Sequence, residues 1–288
     1  MLVFIHMNKT GGTTVTYILR SSYGLRHCQV EPWTALWTDW NDPPFSSHDL
    51  QRLRRFYPNL KSIAGHRVFG HVDLQEKGTE FQYFTLMRNP LKSCASRFQY
   101  KVQVSRKKNL VFEEWIQRDW THNHQTKWIA GVEDVNEAIR TIREKNIFVG
   151  IAEHFDESMV LLKQRLANDL NISYRRVNVA PDNTIKDHLL STDSTRQMLV
   201  EAQQADLELY GFVKQELFPT YRREYGPTFE ADVAQYRETQ SHSFNYRNLT
   251  LSRLKHYMLY KPLLYLNRKG VRFAWLDRET RVPVGVDG

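Results

Sequence analysis

The sequence predicts an α/β domain of three layers, a central parallel sheet flanked by helices, with a basic, aromatic C-terminal extension. Three observations carry this expectation. Apolar runs of strand length alternate with longer runs of helical period. The first apolar run ends in a glycine turn that opens into a helix. Hydrophobic residues make up 41% and charged residues 25% of the 288 positions, enough apolar surface for a sizeable core. Residues 1–220 are expected to form the α/β domain and residues 221–288 to pack on it as the extension.

The elements follow in order. Leu2–His6 reads as a short buried strand that runs through Asn8-Lys9-Thr10-Gly11-Gly12-Thr13-Thr14 into the helical stretch Val15–Arg20, which stops near Gly24. Residues 33–58 are rich in Trp, Pro and Asp and read as loop, with a short helix over His48–Phe56. Ser62–Val68 and Phe81–Met87 are predicted strands; the second stops at Arg88-Asn89-Pro90 because proline cannot continue a central strand. Leu91–Val104 reads as helix, Val135–Lys145 as an amphipathic helix, Ile147–Ile151 as strand and Asp156–Ala167 as helix. Ser194–Phe218 is predicted as one long helix carrying Leu199, Ala202, Leu207, Leu209 and Phe212.

Composition excludes several classes. No apolar run approaches the roughly 20 residues of a spanning helix. The N-terminus lacks the basic start and apolar core of a secretory signal, which leads to the expectation of a cytoplasmic location. Two cysteines, Cys28 and Cys94, make neither a disulfide framework nor an all-cysteine zinc site, and read as inert thiols. The triplets at Asn171 and Asn248 fit the glycosylation pattern but carry no weight without secretion. Net charge is +8, from 40 Lys+Arg against 32 Asp+Glu, so an anionic partner is expected.

Two segments carry chemistry. Lys9-Thr10-Gly11-Gly12-Thr13-Thr14 supplies a lysine, paired glycines, hydroxyls and a helix start, the parts of a phosphate cradle. Its lysine precedes the glycines, so the nucleotide-triphosphatase pattern G-x-x-x-x-G-K-[ST] fails. Arg88 stands at the C-terminal end of a strand, where α/β sheets bind ligands, and Ser96 lies two helical turns on, placed to share one phosphate with it. A strand-end arginine paired with a carboxylate is the competing reading of Arg88. His122 and His124 are two apart, do not share a helical face and read as loop residues rather than metal ligands. Arg175-Arg176-Val177-Asn178 is a basic loop that either touches an anion or is solvated.

Phe4-Ile5-His6-Met7-Asn8-Lys9-Thr10-Gly11-Gly12-Thr13 resembles the 5′-phosphosulfate loop of carbohydrate sulfotransferases, closest to the heparan sulfate 2-O and 6-O type and their bacterial relatives. Tyr83–Pro90 through Ser96 resembles that family's 3′-phosphate segment, with Asn89 where aspartate is commoner. Asn123-His124-Gln125-Thr126-Lys127, Phe148–Asp156 and Asp206-Leu207-Glu208-Leu209-Tyr210 resemble its later segments in order. The resemblance covers residues 2 to about 218 and implies a P-loop-like version of the three-layer fold.

It further implies the donor 3′-phosphoadenosine 5′-phosphosulfate (PAPS), the product 3′-phosphoadenosine 5′-phosphate (PAP), and no metal. Residues Thr10, Gly11, Gly12, Thr13 and Thr14 would hold the 5′-phosphosulfate, Lys9 would neutralise the leaving oxygen, and Arg88 and Ser96 would bind the 3′-phosphate. A histidine following a glycine would be the base: His66 is the first choice and His71 the reserve, each with a structural role as its alternative. The acceptor implied is a carbohydrate or glycolipid, with no nucleic-acid partner. A P-loop-like kinase and a non-catalytic module binding an anionic polysaccharide are the competing classes. Residues 239–276 hold seven Lys/Arg, no acid and interleaved aromatics. Three readings stay open for them: a segment packed on the domain, a lid over the acceptor cleft, and a peripheral membrane contact, the last weakened by Pro262, expected to break the helix.

Overall fold

A computed structural model describes residues 1–33, 43–103, 109–175, 182–273 and 275. Five parallel strands, β1 (Leu2–Ile5), β2 (His27–Gln29), β3 (Ser62–Gly65), β4 (Gln82–Met87) and β5 (Phe148–Ile151), form one sheet in the order β2-β3-β1-β4-β5. β1 is central. Ile5 pairs with Gly65 of β3 on one side and Thr85 of β4 on the other. Every residue of β1, β3 and β5 is buried, as a sheet covered on both faces requires.

Helices flank the sheet: α1 (Gly12–Tyr23), α2 (Ser47–Arg54), α3 (Pro90–Gln103), α4 (Phe112–Ile116), α5 (His124–Ala130), α6 (Val135–Glu144) and α7 (Phe155–Leu166). Then follow α8 (Thr184–Ser191), α9 (Asp193–Ala202), α10 (Gln204–Phe212), α11 (Phe218–Tyr225), α12 (Phe229–Thr239), α13 (Tyr246–Lys255) and α14 (Lys261–Arg268). Among the described residues no helix is long and apolar enough to cross a membrane. Both cysteines are free and buried.

The predicted elements between Leu2 and Leu166 form close to their expected ends, with two differences, at β3 and at His124. β3 stops at Gly65, so Val68 lies outside the strand. α3 is described as far as Gln103; Val104 lies outside the described residues, as do Arg176, Val177, Asn178 and positions 34–42 of the 33–58 loop. His124 is not in a loop: it opens α5, with Asn123 in the left-handed region at φ 42° as its N-cap.

The long helix expected over Ser194–Phe218 is divided. It breaks at Gln203, because the carbonyl of Ala202 accepts the N–H of Asn123 and the Gln203 amide donates to the Thr121 carbonyl. A π turn over Val213–Leu217 then leads into Pro219. The same device recurs at the far end, where the π turn His256–Tyr260 precedes Pro262. Pro262 therefore does not break the helix, as the sequence suggests it should. A proline ring clashes with the carbonyl four residues back, and the wider π turn moves that carbonyl aside, so α13 and α14 run on as one helix.

One hydrophobic cluster joins β1, β3, β4 and β5 to Phe229, Val233, Tyr260 and Leu264. A second, around Cys94, Phe98, Phe112, Trp115, Leu189 and Leu199, stands beside it on α3, α4, α8 and α9.

His6, His27, His124 and His256 are buried, and burial lowers the pKa of each, His256 to about 3. Their folded pKa values lie below the ordinary 6.5, so the unfolded chain binds protons first and stability is lost as pH falls below 6.5. Denaturant titrations should show the unfolding free energy declining by at least about 3 kcal/mol between about pH 6.5 and about pH 4. A flat profile across that window would contradict the buried neutral histidines.

Candidate functional site

β1 and β3 end level at Ile5 and Gly65, β4 runs two residues past Thr85 to Met87, and the three exits surround a cleft of about 540 Å³. The chain order reverses around β1, and a crevice at the carboxyl ends of the strands beside such a reversal is the ligand position of open α/β sheets.

The floor is the loop between β1 and α1. Lys9 holds a left-handed backbone at φ 64°, uncommon for a residue with a side chain, and Gly11 follows at φ 88°. The Arg88 Nη1 donates to the Lys9 carbonyl at 3.0 Å, and Thr10 Oγ1 to the Met7 carbonyl at 3.2 Å, so the bend is held from two sides. Gly12, the first residue of α1, lies against the His6 ring, whose nearest carbon stands 2.1 Å from where a Cβ would sit. Gly12, Thr13 and Thr14, the first residues of α1, line the cleft at the positive end of the helix, and the Thr14 N–H donates to the Gly11 carbonyl at 3.0 Å.

The wall is α3. Ser96, Arg97, Tyr100 and Lys101 recur at helical spacing and all face the cleft, joined by Trp115, Trp120, Asn183 and Lys186. The Lys9 ammonium sits 4.7 Å from the centre of the Tyr100 ring. Burial and the charge of Arg88 lower the Lys9 pKa. Arg97 is 6% exposed; its Nη2 donates to the Thr121 carbonyl, while Nε and Nη1 have no hydrogen-bond partner among the described residues. Lys9, Arg88, Arg97, Lys101 and Lys186 line the cleft together, and no carboxylate is among its described lining residues.

The third side is His66, directly after β3. Its Nδ1 lies 2.8 Å from the His6 carbonyl, which can only accept, so the proton is on Nδ1 and the Nε2 lone pair is free. The His6 and His66 rings lie against each other, tilted by 32°, at 4.0 Å between centroids. The side chain is open to the cleft yet ringed by protein. That surrounding lowers its pKa, opposed by the hydrogen bond to His6 and the charge of Glu31.

The structure thus brings Lys9, Gly11, Gly12, Thr13, Thr14, Arg88, Ser96 and His66 to one cleft, with Thr10 buried beneath it. His71 is not brought there. It stacks on Phe69 at 5.2 Å, beside Gly131, and burial with the Lys145 charge lowers its pKa. Among the described residues Arg88 has no carboxylate partner; its backbone is bracketed by Gln125, whose Oε1 accepts the Arg88 N–H and whose Nε2 donates to the Arg88 carbonyl, both at 2.9 Å. The buried Asp206 carboxylate accepts the N–H groups of Gln125 and Thr126 and the Thr126 hydroxyl. Glu153 accepts the Asn89 N–H and the Tyr210 hydroxyl. The scattered segments around Asn123, Glu153 and Asp206 are therefore one scaffold behind Arg88.

The chain matches no family model and no curated protein.

Arg97, Tyr100, Lys101, Trp115, Trp120, Lys186 and His6 escaped the motif reading. The signal for four of the wall positions was present as the spacing Ser96, Arg97, Tyr100, Lys101 along one helix face. The tryptophans and Lys186 come from separate segments and have no such signal. Among the described residues no group of three or more His, Cys, Asp or Glu is placed to hold a metal ion. His122 Nε2 turns to the Ile116 carbonyl, and the His124 ring packs on Trp128 at 3.9 Å.

The close approach at Gly12 gives a test of the site's packing. Gly12→Ala should push the His6 ring off α1 and cost about 1–3 kcal/mol through overpacking. Thermal denaturation measures this; an unchanged midpoint would show that His6 has room to retreat.

Proposed function

We propose that the protein is a sulfotransferase that moves a sulfuryl group from PAPS to a carbohydrate hydroxyl, built on a P-loop-like fold with residues 221–288 as its extension. One observation carries the reading: an acid-free cleft joins the Lys9 loop, the Arg88–Ser96 segment and the free Nε2 of His66. The glycine-loop motif alone would suit any phosphate ligand. A second cation-and-hydroxyl pair at the next strand's end suits a nucleotide with two separate anionic groups.

The residues divide the work. The start of α1 and the loop hydroxyls would cradle the 5′-phosphosulfate. Lys9, partly buried and crowded by Arg88, gains most from a neighbouring negative charge, and so would stabilise the oxygen between phosphorus and sulfur as its bond to sulfur breaks. His66 Nε2 would take the acceptor proton as the acceptor oxygen bonds to sulfur. Arg88 and Ser96 would hold the 3′-phosphate and distinguish the donor from ATP. His6 would keep the His66 tautomer through its carbonyl.

Isothermal titration with PAP, ATP and a heparin fragment tests the assignment. Tight PAP with weak ATP supports it; ATP preference returns a kinase, and heparin binding alone returns a polysaccharide-binding module. Lys9→Ala should lower kcat by on the order of 10²–10³ with PAP still bound. Near-parental turnover in that variant would end the assignment.

Arg88→Ala and Ser96→Ala should raise the donor KM more than they lower kcat, because both act on ground-state binding. Unchanged PAP affinity in both would show that the second segment does something else.

His66→Ala should abolish turnover and leave PAP affinity intact, whereas His71→Ala should be mild. The lowered pKa fixes the sign of the pH dependence: His66 is neutral above it, so parental kcat/KM should fall only below the ordinary 6.5. An acid limb above that value, or an active His66→Ala, would move the base elsewhere.

A further inference from the structure

From Tyr246 to Arg268 the chain is one helical run with two unlike faces. Leu249, Ser252, His256, Tyr260 and Leu264, three or four residues apart, face inward and are buried. The inward side is fastened by charge as well. Lys261 and Arg268 pair with Glu31, and Lys255 lies over the Tyr57 ring at 3.9 Å. Tyr260 donates its hydroxyl to the Glu31 carbonyl and accepts the Glu31 N–H.

The outward face is exposed and carries none of the contacts that fasten the inward one among the described residues. Leu254, Tyr257 and Met258 stand exposed, Met258 at 74%, and Tyr265 and Leu266 continue the line one to two turns on. Isolated exposed apolar residues are ordinary, but a line of five on one helix face is a patch. Arg247, Arg253, Lys269 and Arg272 flank it at both ends and are exposed. None of these four has an ion pair among the described residues, and residues 239–276 contain no acid at all.

We propose that this face is a docking surface for an anionic lipid bilayer, on which the helix lies in the interfacial plane. The apolar centre suits the boundary between headgroups and acyl chains, and the flanking cations suit acidic headgroups. A second copy of the chain fits poorly, since pairing like faces would bring Arg and Lys against Arg and Lys with no acid between them. An anionic polysaccharide would satisfy the cations and leave Met258 and Leu254 without a partner. The contact is peripheral, since no described helix can cross a bilayer. It stands independently of the chemistry in the cleft.

The test is co-sedimentation of the full chain with vesicles of phosphatidylcholine alone or mixed with phosphatidylserine. The parent should pellet with the mixed vesicles, much less with the neutral ones, and release at high salt. The double variant Met258→Asp, Tyr265→Asp should bind at least about tenfold more weakly, as should the triple variant Arg247→Glu, Arg253→Glu, Lys269→Glu. All five side chains are exposed, so both variants should keep the parental melting midpoint and circular dichroism, which separates lost docking from lost folding. No pelleting with mixed vesicles, or pelleting unaltered in both variants, overturns the proposal. So does a dimer in sedimentation velocity that Met258→Asp dissolves, which would make the face a self-association surface. Heparin binding lost on charge reversal without any vesicle binding overturns it in favour of a polysaccharide surface. None of these measurements uses the sulfuryl donor, so their failure is separate from failure of the proposed reaction.

Discussion

The cleft depends on the double pairing of Ile5. Because β1 is hydrogen-bonded to β3 and β4 with Ile5 opposite both Gly65 and Thr85, β1 and β3 release the chain at the same height and β4 does so two residues further on. His66 and Arg88 directly follow β3 and β4, and the glycine loop begins three residues after β1, so the strand register sets a cation loop, an imidazole and a guanidinium around one rim. In a sheet a slip of one residue would turn alternate side chains to the opposite face. The Thr85 hydroxyl, donating to the Ile5 carbonyl at 2.8 Å, is a side-chain contact across the same pair.

Behind that rim lies a layer of hydrogen bonds with no part in ligand contact. Gln125 fixes the backbone of Arg88, Asp206 fixes Gln125, and Glu153 fixes Asn89. Burial raises the Asp206 pKa, and its hydrogen bonds to two N–H groups and a hydroxyl oppose that shift. This is the arrangement a buried carboxylate needs to remain tolerable. Its hydrogen bonds go to the start of α5, and the charge of Arg97 also opposes the rise in its pKa. The described lining of the cleft holds several cations and no carboxylate, and burial, with the charge of Arg88, lowers the Lys9 pKa. An anion beside Lys9 would oppose that shift.

How far the sequence could be read follows the range of the interactions. β1, its glycine turn and α1 were legible because a strand of four residues, a turn and a helix start are all local. The division of the predicted Ser194–Phe218 helix was not, because its cause is a set of bonds from residues 121–123 to Ala202 and Gln203, some 80 positions away. His124 in a helix was hidden for a similar reason: Asp206 supplies the cap that its own neighbours lack. Pro262 misled because its usual penalty is removed by a π turn, which no periodicity announces.

The sequence by itself determined the chemistry available: a lysine before paired glycines, an arginine closing a strand, two glycine-histidine pairs and an acid-free basic tail. Those are matters of residue type and of spacing within a turn or two, and they survive whatever the chain does elsewhere. Only the tertiary structure decided which of them meet. His66 and His71 are five residues apart in sequence and equivalent by composition, yet His66 leaves β3 beside β1 while His71 is carried past to Phe69 and Gly131. The segment after β3 separates them: the Gly70 N–H donates to the Trp128 carbonyl and Lys145 donates to the Gly70 carbonyl, partners 58 and 75 positions along the chain. The same holds for the tail, whose two faces became distinguishable only when Leu249, Tyr260 and Leu264 went down and left Leu254 and Met258 standing out.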